Sequence, residues 1–488
     1  MSLKEKTITG VVWSVIQRWG ARLFGFVVLF LLARLLGPED FGLIALATAF
    51  IAFADIFVSG SFISAIVQRD KLEPEHLDTA FWINIGAGIL VTIVTLITAP
   101  IIAHTASEPA LTSVIRWLSL GFILGALSSV QSAVLQRNFA YKSLAMRHLA
   151  GVLTGGVVGV GMAFLGFGIW SLVAQQLVTL IVSTVTLWIL SDWRPALRFH
   201  KQYFRDLFSF EANILGSKVL NFFNRRADDL LIGFFLGPVA LGFYSLAYRI
   251  IYILTELFVT AFSEVAFTSF SRMQNDKERM KRNFYDATRL SSLLAFPVFI
   301  GLALISPELV SGVFGEEWAQ STRVLQVLAV IGILQSVSPF SDSLIKGAGK
   351  ASWVLLLKSV SAVANVIGFL IAVQFGILAV AVAYVVRGYL LFPLSLFLVS
   401  KLINFEVSRY FSQYLSPLLS SAVMVVAVLV TKYALPTTHP LLALVLYVAI
   451  GGVTYILTIR LTSPELYKYA YDLFGQALPK PLRKKMEI

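Results

Sequence analysis

This sequence reads as an all-α membrane protein with 14 transmembrane helices. Three observations carry that reading. Of its 488 residues, 57% are hydrophobic and only 14% charged, with a mean hydropathy of +0.81, whereas soluble domains carry about 25% charged residues. Apolar runs of 18 residues or more recur along the whole length; at 1.5 Å per residue such runs cross the hydrocarbon as helices, whereas a barrel would show only short alternating segments. Finally, the basic residues collect in alternate connecting segments.

Taken in order, the apolar runs lie at 11–36, 41–67, 80–103, 112–135, 144–165, 168–190, 211–236, 241–268, 286–306, 322–345, 353–373, 376–400, 411–434 and 440–460. The opening segment MSLKEKTITG leads into a helix with Arg18 and Arg22 and has no small-residue cleavage site, so no cleavable signal is expected. Counted from the N-terminus, every second segment is basic, and together with the adjoining span ends these segments hold 27 of the 39 Lys and Arg residues. The intervening connections hold Lys432 and the acidic turns Glu39–Asp40 and Glu316–Glu317, and none exceeds about 15 residues. Basic loops stay in the cytoplasm, so both termini are expected there. The same distribution explains a net charge of +12 without nucleic acid, which is not expected as a partner.

The chain also repeats itself. Leu36–Gly37–Pro38 followed by Phe41–Gly42–Leu43 returns, 200 residues on, as Leu236–Gly237–Pro238 followed by Leu241–Gly242–Phe243, and Gly168–Ile169 is echoed by Gly376–Ile377. Gly37 and Gly237 read as glycines just past a helix end, with proline stopping the helix. The repeat divides the chain into two pseudo-symmetric six-helix lobes, 1–190 and 211–400. A cytoplasmic linker, 191–210, joins them and holds an interfacial helix around Phe204, Leu207, Phe208 and Phe210. Two extra helices occupy 401–461 and a basic tail 462–488.

No enzyme signature is present. His76, His104, His148, His200 and His439 have no metal-ligand spacing, Gly349–Lys350 lacks the rest of a phosphate loop, and there is no cysteine. No catalytic residue, metal or cofactor is expected. The glycines from 151 to 168 have the spacing of close helix packing. What remains are ionisable residues inside spans, where each costs at least ~2.5–3.5 kcal/mol and so faces a bundle interior or wet cavity. On span 7, Lys218, Asn221, Phe222, Arg225, Asp228 and Asp229 share one helical face, and Arg225 and Asp229, four apart, are placed to neutralise each other. Arg226 lies off that stripe. Asp55 falls mid-span in span 2; Arg249, Glu256 and Glu264 lie on span 8, Lys358 on span 11 and Arg387 on span 12. Arg34, Arg116 and Arg323 sit at span ends, where they snorkel. Counting Arg18, Arg22, Lys218, Arg225, Arg249, Lys358 and Arg387 against Asp55, Asp228, Asp229, Glu256 and Glu264 leaves a cationic cavity suited to an anion. Arg18 and Arg22 with Lys218 and Arg225 form an expected phosphate clamp on corresponding helices, while the acids are expected to gate or to exchange a proton or sodium.

The motifs SLKEKTITG, LARLLGPEDFGL, QRDKLEPEHLDTAFWIN and VFGEEWAQSTRVLQVLAVIGILQS resemble the polysaccharide transporters (oligosaccharide flippases) of the multidrug/oligosaccharidyl-lipid/polysaccharide superfamily, above all the colanic-acid exporter (WzxC) type. The resemblance spans the chain to about Arg460. It implies a multi-pass protein of the bacterial inner membrane with two six-helix lobes in a V. Its implied substrate is an undecaprenyl-(pyro)phosphate-linked oligosaccharide, flipped by alternating access for exopolysaccharide, capsule or O-antigen synthesis. The partners expected are that lipid-linked oligosaccharide, membrane lipids, H+ or Na+ as coupling ion, and a glycan polymerase. A cation-coupled multidrug exporter of the same superfamily is the alternative, though a cationic cavity suits cationic drugs poorly. A membrane-embedded polymerase or ligase is a further one, disfavoured by the short outer connections.

The charge alternation makes a direct prediction. Reporters fused at Lys485 or within 272–282 should be active only as cytoplasmic reporters, and fusions at Glu316 only as periplasmic ones. Reversal at any of these positions would refute the span count.

Overall fold

A computed structural model describes residues 20–21, 23–58, 66, 73–435 and 439–468, with the backbone alone for 201–214 and 257–265. The regular structure among these residues is helical: α1 (Leu23–Leu35), α2 (Pro38–Asp55), α3 (Pro74–Thr105), α4 (Ala110–Arg137), α5 (Tyr141–Phe164) and α6 (Ile169–Leu190). A long helical run, Lys201–Arg272, then breaks at Gly237 into two arms, α7 (201–236) and α8 (238–272). There follow α9 (Lys277–Leu309), α10 (Ser321–Gly347), α11 (Ala351–Ala372), α12 (Ile377–Ile403), a short α13 (Val407–Ser412), α14 (Leu415–Ala434) and α15 (Pro440–Thr462). Among the described residues eleven helices are long and apolar enough to cross a membrane, one of them, Leu215–Glu256, containing the Gly237 break.

Local chemistry sets several boundaries. Proline opens α2, α3 and α15, where its missing N–H breaks no helical bond. Asp276 caps α9 by accepting the Arg279 N–H at 3.0 Å. Glu73 and His76 cap α3 reciprocally, which accounts for one of the five histidines. Asp40, in the first turn of α2, accepts the Ile169 N–H at the start of α6; burial and then Glu39 push its carboxyl above the usual range, and that N–H pulls it back.

Three sequence expectations change. The second apolar run is not one helix over 41–67: α2 ends at Asp55, and Ile56, Phe57 and Val58 close a tighter turn through bonds of 3.0–3.2 Å to residues three back. Asp55 therefore stands at the end of α2, and residues 59–65 and 67 of that run lie outside the described residues. Gly37 is not left-handed; it has φ −73° and ψ 171°, as a residue before proline requires, whereas Gly237 reaches a similar ψ of 176° with φ +83°. Residues 191–200 form no helix, and the helix expected near 204–210 is the first part of α7, which begins at Lys201 and continues without a break. No proline lies between Lys201 and Gly237 to stop it.

The chain forms two compact units, 1–245 with 365–377, and 246–364 with 378–488. In the first, α5 lies tightly on α6: a Cβ at Gly151, Gly155 or Gly159 would sit 2.6–3.1 Å from the Thr179, Gln175 and Ser171 carbonyl oxygens, so the glycine spacing is indeed a packing device. Leu46 fills the space over Gly233, and Phe50 meets Phe234 edge-on at 5.5 Å, which lays α2 along α7. At the head of both helices the repeated motifs meet each other. A Cβ on Gly42 would land on the Pro238 carbonyl, and one on Gly242 would land on the Pro38 carbonyl.

In the second unit, Lys432 fastens α14 to α9 by donating to the Leu304 carbonyl at 2.8 Å and pairing with Glu308 at 2.9 Å, with its ammonium 5.2 Å from the Tyr447 ring centre on α15. Tyr455 ties α15 to the same helix through the Leu293 carbonyl at 2.7 Å. Tyr410 of α13 stacks on Phe284 of α9 at 5.3 Å.

The reciprocal crossing predicts a sharp contrast among neighbouring glycines. Gly42→Ala and Gly242→Ala drive a methyl group into backbone and should each cost about 1–3 kcal/mol or more, read as a lower melting temperature of the purified protein. Gly37→Ala, with open space around it and ordinary φ, should stay within about 0.5 kcal/mol of wild type.

Candidate functional site

Two groups of intramembrane polar side chains are built, one in each unit. The first straddles the bend at Gly237. Asp228 and Asp229 of α7 are 3% and 5% exposed. Asp228 accepts a hydrogen bond from the buried Tyr244 hydroxyl of α8 at 2.8 Å and another from the Asp229 backbone N–H at 3.1 Å. Asp229 accepts from Arg226 at 2.8 Å. Of the two carboxylates only Asp229 bonds the guanidinium, and Asp228 rests on a hydroxyl and a backbone N–H, where a proton or small cation would offset its charge. One turn earlier on α7, Asn224 receives the Asn365 side-chain amide of α11 at 3.3–3.4 Å, while the Asn365 Oδ1 is buried and has no partner.

The second group begins where α12 approaches α10. Gly388 makes that approach possible, since a Cβ there would run into Ile331. Beside it, Gln335 donates to the Tyr384 hydroxyl at 2.9 Å and receives the Thr255 hydroxyl at 3.4 Å. The Arg387 guanidinium lies 4.9 Å from the Tyr384 ring centre and donates to Ser361 on α11 at 2.7 Å; its Nε–H is buried and unpartnered. Lys358, three residues from Ser361 and so on the same face of α11, pairs with Asp342 of α10 at 3.0 Å. The result is a line of donors and acceptors from α8 through α10 and α12 to α11.

A search for relatives then decides the family. Residues 31–323 match the family described as "Polysaccharide biosynthesis protein". The chain belongs to this family. It is 27% identical over 479 residues to the teichuronic acid biosynthesis protein TuaB of Bacillus subtilis, covering 95% of this chain and 97% of that one. It is 28% identical over 492 residues to the succinoglycan biosynthesis transport protein ExoT of Rhizobium meliloti, covering 98% of each. Its identity to the lipopolysaccharide biosynthesis protein WzxC of Escherichia coli is 29% over 343 residues, or 69% of each chain. In fold it is similar to the lipid II flippase MurJ in an inward closed conformation, with a TM-score of 0.77 at 16% identity over 93% of this chain and 99% of that one. An inward-facing multidrug resistance MATE family transporter gives a TM-score of 0.59, also at 16% identity, over 82% of this chain and 100% of that one. The chain is therefore a multi-pass membrane protein of the polysaccharide biosynthesis family.

The sequence-derived residues are distributed unevenly over the two groups. Asp228 and Asp229 fall in the first, Lys358 and Arg387 in the second. Lys218, Asp55 and Glu256 are half-buried, and Arg225 and Arg249 are exposed. Arg18, Arg22 and the Glu264 side chain lie outside the described residues. The pairing on α7 differs from the expectation: Asp229 takes Arg226, three residues back and off the predicted stripe. Both spacings put side chains side by side on a helix, and neighbouring packing chooses between them. Sequence reasoning passed over Asp342, although a carboxylate inside a span was the signal it used elsewhere, and Tyr244, Gln335, Tyr384 and Ser361, which carry no charge to flag them.

The repeat supplies an internal control for the first group. At a shift of 200, Asp228, Asp229 and Tyr244 correspond to Val28, Leu29 and Ile44, which are equally buried at 3%, 4% and 7%. The corresponding positions 200 residues earlier are thus filled by apolar side chains. The double variant Asp228→Val/Tyr244→Ile, which installs the residues found 200 positions earlier, should keep the melting temperature of the purified protein within a few degrees. Tyr244→Phe alone strips a donor from a buried carboxylate and should cost about 1–3 kcal/mol.

Proposed function

We propose that this protein is a flippase that moves a polyprenyl-(pyro)phosphate-linked oligosaccharide from the cytoplasmic to the periplasmic leaflet of a bacterial inner membrane by alternating access. The observation that carries the reading is Arg387, a membrane-embedded guanidinium oriented by Ser361 and Tyr384 that keeps one buried donor unused. A fixed, always-charged fork at membrane depth suits a phosphate. Family membership supports the glycan part of the reading, as do relatives named for teichuronic acid biosynthesis, succinoglycan transport and a probable glycan biosynthesis flippase.

In this proposal the chain has fourteen spans in two six-helix lobes plus two added helices, with both termini in the cytoplasm, as its basic-residue bias supports. Arg18 and Arg22 on the first span and Lys218 and Arg225 on α7 first clamp the phosphate. At 4–6 Å and an effective dielectric of about 20, each cation–phosphate pair contributes roughly 3–4 kcal/mol before desolvation. In the second unit, Arg249, Lys358 and Arg387 are further phosphate-binding cations. The charge left over between Asp228, Asp229 and Arg226 takes up H+ or Na+ during the cycle, with Asp55, Glu256 and Glu264 as further gating acids. A ligand drives the switch only through different affinities for its two states, and competition between that cation and the phosphate supplies such a difference. A glycan polymerase consuming the product is the expected neighbour.

Charge removal at the clamp tests the reading. Arg22→Ala/Arg225→Ala should abolish export of the glycan at normal protein level, and Arg→Lys at either position should give intermediate export. Wild-type export by the abundant double variant would remove the clamp from the mechanism.

A further inference from the structure

The first unit contains a groove that neither polar group uses. The C-terminal half of α6 is bonded to α4 at two rungs: Trp188 Nε1–H donates to the Leu127 carbonyl at 2.9 Å, and the Thr184 hydroxyl donates to the Leu124 carbonyl at 3.3 Å. Beside these rungs lies an open groove of about 440 Å³, lined by Leu124, Leu127, Ile181, Val185, Trp188 and Ile189 and ending at Arg194. Ile181, Val185 and Ile189 are 45%, 53% and 74% exposed, as side chains on a lipid-facing wall are.

Arg194 is held firmly at the groove's end. It donates to the carbonyls of Trp188 and Trp193, each at 2.9 Å, and to that of Ser191, and its guanidinium lies 5.7 Å from the Trp188 ring centre. A cation closing a helix C-terminus is favourable in itself. Two further facts go beyond that role. Arg194 pairs with no carboxylate among the described residues, so its charge is unbalanced. Its three bonds also leave Nε–H and one Nη2–H for an outside acceptor. The residue lies between α6 and α7, in a connection whose basic residues assign it to the cytoplasmic side.

We infer that this groove is a binding site for an anionic phospholipid of the cytoplasmic leaflet, with one acyl chain along α4 and α6 and the phosphate on Arg194. The charge is complementary: an apolar trough with a single interfacial cation matches one chain and one phosphate. The glycan carrier itself fits less well. Beside Arg194 the lining's other polar side chain is Thr184, whose hydroxyl hydrogen is already donated to Leu124, so the groove offers few groups to read a sugar.

The site is tested with the purified full chain in nanodiscs made with phosphatidylglycerol or phosphatidylcholine bearing brominated acyl chains, reading tryptophan quenching. Brominated phosphatidylglycerol should half-saturate at an about fivefold lower mole fraction than brominated phosphatidylcholine, the effect of one added interfacial cation contact. Trp188→Phe should remove that selective component. Arg194→Gln should make the two lipids equal. Val185→Phe, which fills the groove while leaving Arg194 and its carbonyl bonds in place, should also abolish selectivity. Equal quenching by both lipids in the wild type, or selectivity that survives Arg194→Gln, overturns the site. Stoichiometric displacement of the brominated lipid by undecaprenyl phosphate, but not by plain phosphatidylglycerol, overturns the phospholipid assignment in favour of the carrier.

Discussion

Two glycines hold the geometry on which the first unit depends. At Gly42 and Gly242 the start of α2 and the start of α8 approach until each glycine faces the other motif's proline carbonyl, with no room for a side chain. In a membrane there is little hydrophobic drive between helices, so close backbone approach and the dispersion contacts it permits must supply the attraction. The crossing also fixes the heights of the residues around it. Leu46 over Gly233 and Phe50 against Phe234 follow once the helix heads are pinned, and the bend at Gly237 aims α8 so that Tyr244 reaches back to Asp228.

The polar groups do not follow the sequence repeat. Val28, Leu29 and Ile44 occupy in the first copy what Asp228, Asp229 and Tyr244 occupy in the second, at nearly the same burial. A buried charge is costly, whereas the apolar set costs nothing to bury. Asp40 is a smaller case of the same kind. It caps α6, and its counterpart at a shift of 200 is Ala240, which has no side chain with which to cap.

In the second unit the polar groups are linked rather than isolated. Gln335 joins Thr255 to Tyr384, Tyr384 carries Arg387, Arg387 reaches Ser361, and one turn away Lys358 is matched by Asp342. Such a chain orients each cation at little entropic cost, because every side chain is already held by the next. Lys432 with Glu308 shows the structural use of the same chemistry, a partly buried ion pair that fastens α14 to α9 at a position where the sequence offers a lone base in an otherwise unbasic connection.

Some of this was legible from the residues alone. Composition and the length of apolar runs are properties of the chain, so membrane insertion, the all-helical class and the packing role of Gly151, Gly155 and Gly159 could be read directly. The repeated Leu-Gly-Pro turn could be read as well, because it is a string. Helical spacing also pointed to Asp228 and Asp229, which are buried, and to Arg387, which is half-buried, whereas Lys358 is exposed and paired with Asp342. What it could not do was choose partners. Arg225 and Arg226 both stand within reach of Asp229 along one helix, and it was Arg226, off the predicted stripe, that the folded chain set against the carboxylate. Nor could spacing on one helix find Tyr244 for Asp228 or Asp342 for Lys358, since those contacts form between helices whose faces meet only after packing. The end of α2 at Asp55 was hidden for a related reason: hydropathy registers an apolar run but not the tightening of its backbone bonds. Local rules act within about one turn and are written in the sequence; which faces meet is decided by the closest approach the backbones can make, and here two glycines set it.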